Sequence, residues 1–320
     1  MLAGFLLVVS LALAYETDQL TRRHEPLADA RVIANAEVNR QLGAAIAETN
    51  TRLRCRGTKE RTRRELATRI HARLASSAPV PHRQGLEGLG FGAYSAFLES
   101  GAVARRDFVD RSDIYGQLDA TQSPAVAMAG VCSTIRLAGV RMGTDKPDHF
   151  FDQGYEYLRV SRWGAAPLLA VRWGTDSERG AYGLLTSNVF SFADLHANRR
   201  GFAFYDELLS RTSGMRRDRQ GCVGAVAAFD WADWVDDGFD ELLNPSTYGV
   251  SVGAAVRDQL ALRRDELCAG YGRWGSDVER RRRRVQSLVR GDAGPGAPPP
   301  PGGGELAALC GMSLARKGPG

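Results

Sequence analysis

Asp145-Lys146-Pro147-Asp148-His149-Phe150-Phe151-Asp152-Gln153-Gly154-Tyr155-Glu156-Tyr157-Leu158 is the stretch on which the reading of this chain turns. Wound as a helix at about 100° per residue, it places Asp145, His149, Asp152 and Glu156 within roughly 60° of one another. Phe150, Phe151 and Leu158 fall largely on the opposite side, so the stretch reads as a helix with one apolar and one titratable face. For Asp152 and Glu156 a solvated polar stripe is a sufficient account. His149 asks for more, because it stands beside two phenylalanines with Asp145 one turn back. An imidazole held by a carboxylate can serve as a base, an acid or a metal ligand.

Two further polar clusters lie downstream, Thr175-Asp176-Ser177-Glu178 and Ser191-Phe192-Ala193-Asp194-Leu195-His196-Ala197-Asn198. A helix begun at Ser191 lines up Asp194, Asn198, Gly201 and Tyr205, and Gly201 would let another backbone approach closely. Ser191 with Asp194 fits a capping box, as does Thr175 with Glu178, so helix starts are expected at both. Capping does not account for Asn198 or His149. His196 falls on a different face and reads as a surface or satisfied polar group outside the site. Ser191 has no Gly-x-Ser-x-Gly surroundings, which argues against a nucleophile. The candidate catalytic set is therefore His149 as acid/base or ligand, Asp145 as its orienting partner, and Glu178 and Asp194 as further carboxylates. Lys146, Asn198 and Ser191 are the candidate ligand-binding donors. Zinc, manganese or iron held by His149 and these carboxylates is chemically sensible, but the spacing identifies no metal and no cofactor.

Outward from this block the chain reads as mainly α, an irregular helical bundle with long loops and a disordered C-terminal tail. Leu27, Val32, Ile33, Val38, Leu42, Ala45 and Ile46 recur at three and four, giving a helical region over 15–78. Within it, the arginine-dense stretch 51–71 reads as an exposed helix or connection. Pro79, Pro81 and the glycines at 85, 88, 90 and 92 mark a break before a helical core domain over 79–279. The Ala-, Val-, Met- and Gly-rich stretch 124–143 reads as a buried helix or a pair of short ones around Cys132. Residues 252–268 read as helix. Residues 280–320 hold a basic run and a Gly/Pro/Ala-rich tail from Gly291 that has too little apolar surface to order itself. No alternating β-branched run is long enough to read as a sheet.

A chain of 320 residues, 43% hydrophobic, can bury a substantial core. Its first fourteen residues are apolar and end in Ala12-Leu13-Ala14, the pattern of a cleavable signal peptide, so export to the periplasm, cell envelope or beyond is expected. The net charge of +5 is misleading: residues 280–320 carry eight Lys or Arg against Asp292 and Glu305, leaving the body near −1. That excludes a nucleic-acid-binding body. The run Arg280–Arg284 could touch an anionic surface, although a solvated helix end explains it as well. Of five cysteines, none in CxxC spacing, one or two disulfides are expected, with Cys310 left over.

In this order the motifs Asp145-Lys146-x-x-His149-Phe150, Glu178 and Ser191-x-x-Asp194-Leu195-x-Ala197-Asn198-x-x-Gly201 resemble the block shared by VanZ-like proteins and YfiM-like predicted periplasmic lipoproteins. The resemblance covers about sixty residues and implies an envelope setting, with the glutamate at a helix start. The chain differs from the former in lacking spanning helices, and from the latter in lacking a Cys after the apolar leader. Two function classes are compatible with this. One is an exported, envelope-associated protein whose Asp/His/Glu/Asp/Asn network is structural or binds a ligand, its partner a cell-envelope component. The other is an envelope-directed hydrolase or transferase using His149 and the carboxylates.

Overall fold

Small and branched apolar residues at intervals of three and four build helix α1 (Arg31–Leu53), which buries Ala34, Val38, Leu42, Ala45, Thr49 and Leu53 along one stripe. Helix α2 (Lys59–Leu74) begins at Thr58, whose hydroxyl accepts from the Arg61 N–H at 3.2 Å. It buries Leu66, Ala67, Ile70 and Leu74 against α1, and Arg63 with them, so the arginine-dense stretch is the end of α1, a connection over 54–58 and a packed helix. The computed structural model describes residues 16–23, 25–78, 91–106, 114–124, 126, 131–180, 182–210, 215–300 and 309–310. The leader over 1–14 and the break at 79–90 lie outside the described residues.

After α3 (Ala93–Leu98) comes a composite helix, α4, made of Lys146–Asp148, a π-turn over His149–Gln153, and Gly154–Val160. It is succeeded by α5 (Pro167–Arg179), α6 (Phe192–Leu209), α7 (Val250–Leu262) and α8 (Arg264–Leu288). The fold is mainly α, as expected. Helices α4 and α6 cross backbone to backbone at Gly154 and Gly201. A Cβ on Gly154 would lie 2.6 Å from the Gly201 carbonyl carbon, and one on Gly201 would overlap the Phe150 carbonyl oxygen. Around that crossing Phe150, Phe151, Phe204, Phe229 and Trp231 pack mostly edge to face. Helices α1 and α2 belong to the same apolar cluster. A second cluster joins α7 and α8 to Val189, Leu242 and Leu243.

Short strands tie these helices together: β1 (Glu16–Thr17), β2 (Ser77–Ala78), β3 (Phe91–Gly92), β4 (Arg105–Arg106), β5 (Val131–Cys132), β6 (Thr134–Leu137), β7 (Val140–Gly143), β8 (Val189–Phe190), β9 (Arg216–Arg217), β10 (Val223–Ala225) and β11 (Thr247–Tyr248). β1 runs parallel to β5, β4-β6-β7 form an antiparallel sheet, and β8 pairs with β11. The helix expected over 124–143 is thus replaced over 131–143 by strands and a hairpin, while residues 124 and 126 are helical. Ala138 and Gly139 both take positive φ, 50° and 85°, as a two-residue hairpin turn requires. Asp29 clamps that turn by accepting from the N–H groups of Ala138 (3.0 Å) and Gly139 (2.6 Å).

Three asparagines of α1 hold the extended chain over 223–231. Asn39 exchanges two hydrogen bonds with the Phe229 backbone, both at 2.8 Å. Asn50 does the same with Val223, at 2.9 and 2.8 Å, and the Trp231 N–H donates to Asn35 at 3.0 Å. The Cys55–Cys222 disulfide pins one end of this segment to the end of α1. A second disulfide joins Cys268 to Cys310, so Cys310 is paired, contrary to expectation, and buried Cys132 is the cysteine outside the two bridges.

The tail expectation also needs revision at its start. Residues 291–300 are docked across α5 and α6: Asp292 bonds His196 (2.6 Å), the Gly294 N–H donates to Thr175 (2.6 Å), and Ala293 and Ala297 pack near Phe190 and Phe192. Polar anchors order this segment where apolar burial would not. Residues 301–308 and 311–320 lie outside the described residues. In the basic run, Arg281 bonds Asp237 and Arg282 is buried, which leaves Arg280, Arg283 and Arg284 facing solvent.

Candidate functional site

Where β7 runs into α4, Asp145 and Lys146 are carried together into the interior. Thr17 of β1 donates its hydroxyl to one Asp145 oxygen at 2.9 Å. The other oxygen lies 2.7 Å from the Lys146 ammonium. Lys146 is fully buried, and its Nζ also meets Asp194 at 2.6 Å and Glu241 at 2.6 Å. The ammonium donates hydrogen bonds to Asp145 and Glu241 and stands in ion-pair contact with Asp194, whose Oδ1 accepts no hydrogen bond.

Asp194 reaches this point from the first turn of α6. Ser191 caps that helix, accepting from the Asp194 N–H at 3.2 Å, and donates its own N–H to Glu178 at 2.8 Å. Glu178 therefore belongs to the last turn of α5 and does not start a helix. Pro167 opens α5 well before it, and Thr175 bonds back to the Val171 carbonyl at 3.0 Å, a mid-helix contact. The spacing that imitates a capping box has no such role here.

His149 stands at the first position of the π-turn. Its Nε2 lies 3.2 Å from Asp194, and its Nδ1 lies 3.0 Å from the Asn198 amide. The wider π-turn rotates the later residues of α4 away from the α-helical register. Asp152 consequently bonds His71 at 2.8 Å, and Glu156 pairs with Arg159 at 2.7 Å on the surface, so the four-residue titratable face divides after His149. Asp145, Lys146, His149, Asp194 and Asn198 do meet, with Glu178 attached through Ser191. The sequence reading omits three buried members: Glu241, Glu16 and Thr17. Glu241 carries a faint signal, an acid set directly before Leu242-Leu243; Glu16 and Thr17 carry none.

Burial opposes a charge on Lys146, but Asp145, Asp194 and Glu241 outweigh it and hold the ammonium pKa well above its ordinary value. Burial likewise works against charge on Asp194, yet His149 and Lys146 carry its pKa well below the usual carboxylate range. His149, opposed by burial and favoured by Asp194, is raised to about 9. Burial first, and neighbouring carboxylates second, push Glu178 and Glu16 well above the usual range. Burial also raises Glu241, to about 8. At neutral pH Lys146 and His149 are thus cations beside an ionised Asp194, while burial favours the protonated forms of Glu16, Glu178 and Glu241.

The Asn198 amide is tied to the state of His149. Turned with its nitrogen inward, it donates to Nδ1 at 3.0 Å and to the Asp194 and His149 carbonyls at 3.1 and 3.2 Å. Such an amide suits a neutral ring. An imidazolium needs the amide oxygen at Nδ1, and the full charge of Asp194 outweighs two carbonyl dipoles in a dry site, so the oxygen faces the ring until deprotonation near pH 9.

Asp145, His149 and Asp194 present ligand atoms within 4.8 Å of one another, enough to surround a metal ion. The Lys146 ammonium already lies against both of those carboxylates, so a metal would have to displace it. His196, expected as surface or satisfied polar, is the latter. It is buried between Asp236 (2.9 Å) and Asp292 (2.6 Å) and fastens the docked C-terminal segment. No family model matches the chain, nor does any curated protein or solved structure.

Proposed function

We propose that this is an exported, envelope-associated protein whose buried Asp/Lys/His/Asp/Glu network is a non-catalytic lock that fixes helix packing. The observation that carries the reading is the enclosure of Lys146: three carboxyl groups crowd its ammonium at 2.6–2.7 Å, and two of them, Asp145 and Glu241, accept hydrogen bonds from it. Those partners come from the residue before α4, from α6 and from the loop before β11, with Thr17 of β1 bonded to Asp145, so the network joins parts of the chain that share no helix. A buried polar network of this kind favours one arrangement among competing packings, because other packings would leave its charges unpaired. Export is supported by the pairing of four of the five cysteines in two disulfides, which persist in oxidising compartments. The envelope setting is the one that the motif resemblance implies.

A hydrolase or transferase reading draws on a different fact, an imidazole beside a carboxylate with a small part of its side chain open to solvent. A double-mutant cycle separates the two. His149→Ala and Asp194→Ala, alone and together, are measured by urea unfolding of the disulfide-intact chain. A lock loses roughly 3–5 kcal/mol on either change, because a buried charge is left unpaired, with a coupling of more than about 0.5 kcal/mol. A catalytic histidine with little structural role would leave stability within about 1 kcal/mol of the parent, and the lock would be abandoned.

A further inference from the structure

We propose that the face built by the loop between α4 and α5 and by the start of α2 docks on an anionic lipid surface. Pro167, Leu168 and Leu169 open α5 with their side chains in solvent, Leu168 81% exposed and Leu169 42%. Adjacent exposed leucines mark a contact surface when charge of one sign surrounds them.

The loop that presents them is held in place. Arg162, Trp163 and Gly164 take left-handed φ in succession, 57°, 60° and 88°, a conformation that only the glycine adopts without strain. Hydrogen bonds close it. The Trp163 N–H donates to the Leu158 carbonyl and the Ala166 N–H to the Ser161 carbonyl, both at 2.8 Å, and the Gly164 N–H donates to the Ser161 hydroxyl at 3.0 Å. The loop is seated on α2, where the Arg64 guanidinium lies 4.9 Å from the centre of the Trp163 ring. Arg61, Arg64 and Thr68 recur at three and four and so share that side of α2.

The charge left unbalanced on this face is positive. Arg61 and Arg162 are exposed and pair with no carboxylate among the described residues. Lys59, Arg56 and Arg54, also exposed and unpaired among the described residues, extend the basic surface into the connection before α2. The acids interspersed with them are taken up: Glu60 stands against Arg64, Glu156 against Arg159 and Asp176 against Arg172. Asp206, beside Gly164, has its pKa raised by burial.

The cations by themselves would suit any polyanion. The leucines select a bilayer, because a dissolved polymer offers them no apolar phase, whereas a lipid layer receives them below the phosphates that the arginines meet. Either signal alone gives weak adsorption, and stable attachment takes two. The inference rests on the envelope setting proposed above for its location only. It does not rest on the lock, which is tested by unfolding and can fail separately.

The test is co-sedimentation of the full, disulfide-intact chain with vesicles of phosphatidylcholine alone, or of phosphatidylcholine and phosphatidylglycerol in equal parts. The neutral vesicles account for any contribution of the apolar leader. Preference for the anionic vesicles is expected, falling with added salt. Replacing both leucines (Leu168→Gln with Leu169→Gln) lowers that partition by about tenfold or more, and Arg61→Gln or Arg162→Gln lowers it by about fivefold each. Binding to soluble polyphosphate is unchanged by the leucine replacements, and the urea midpoint stays at that of the parent, since both side chains are exposed. The proposal is overturned by equal partition into neutral and anionic vesicles, or by a leucine variant that partitions like the parent. A leucine variant that changes only the size of the particle in light scattering would assign the leucines to contact between copies of this chain, and would overturn it too.

Discussion

Replacing Lys146 with methionine keeps most of the apolar stem of the side chain and removes the ammonium that three carboxyl groups surround at 2.6–2.7 Å. Removing one partner of a buried ion pair costs about 3–5 kcal/mol, and in a chain of this size each kcal/mol lowers the melting midpoint by roughly 2–4 °C. The pH dependence gives the sharper test. In the parent, Asp194 is depressed, so its contribution is present above the unfolded carboxylate value and is lost as pH falls through the folded one. Lys146 is raised, so its contribution is complete throughout the neutral range and is lost only in strong alkali. In Lys146→Met the orphaned carboxylates hold protons more tightly when folded than when unfolded. That variant therefore loses stability as pH climbs above about 4. The cost of the substitution must accordingly be larger at pH 8 than at pH 5, as read from urea midpoints and slopes with the disulfides intact. A loss below about 1 kcal/mol at pH 7.5, or a cost that does not shrink on acidification, would refute the assignment of Lys146 as the hub of the network.

Two further substitutions probe neighbouring parts. Glu178→Gln keeps the acceptor for the Ser191 N–H and removes a carboxyl whose pKa burial and Asp194 hold well above the usual range. A raised carboxyl weakens the folded state as pH rises above its unfolded value, so the variant should gain on the parent as pH rises from about 4, and a flat difference in unfolding free energy would sink the idea. Gly201→Ala should destabilise by about 1–3 kcal/mol, because the new methyl meets the Phe150 backbone and not a side chain that could turn aside. Were α6 free of that contact, the same change would stabilise by up to about 1 kcal/mol through helix propensity, so thermal unfolding decides by sign.

What can be read from the sequence here is what is local. The Ser191 cap on Asp194 depends on residues three apart, and the close approach at Gly201 comes from a missing side chain on a readable helix face. The meeting of Asp145, Lys146 and His149 also needs no more than one turn of helix. The π-turn is not legible, because one additional residue per turn leaves no mark in hydrophobic spacing, and it separates Asp152 and Glu156 from the site. The hairpin over 134–143 is hidden by strands of four residues and by an Ala-Gly turn whose small residues look equally suited to a packed helix. Glu241 and Glu16 join the site from sequence distances of about a hundred residues, and only the folded chain brings them in. The cysteine pairing is similarly long-range, which is why Cys310 could not be told from Cys132.

The asparagine contacts of α1 work as a vernier between two kinds of backbone. Four residues of helix advance about 6 Å, and two residues of extended chain advance about 6.6 Å. Asn35 and Asn39 therefore come into step with Trp231 and Phe229, running in the opposite direction. Eleven residues further along the helix, Asn50 meets Val223, six residues back along the extended chain, with only a few ångströms of slack accumulated over that span. Substitution between these points leaves the scale unchanged. A change of length does not: one residue added or removed between Val223 and Phe229 shifts the chain by about 3.3 Å against every amide on one side of the change. Because Cys222 is bridged to Cys55, that shift has no free end through which to relax. This surface of α1 thus measures the length of the segment it carries more stringently than its composition.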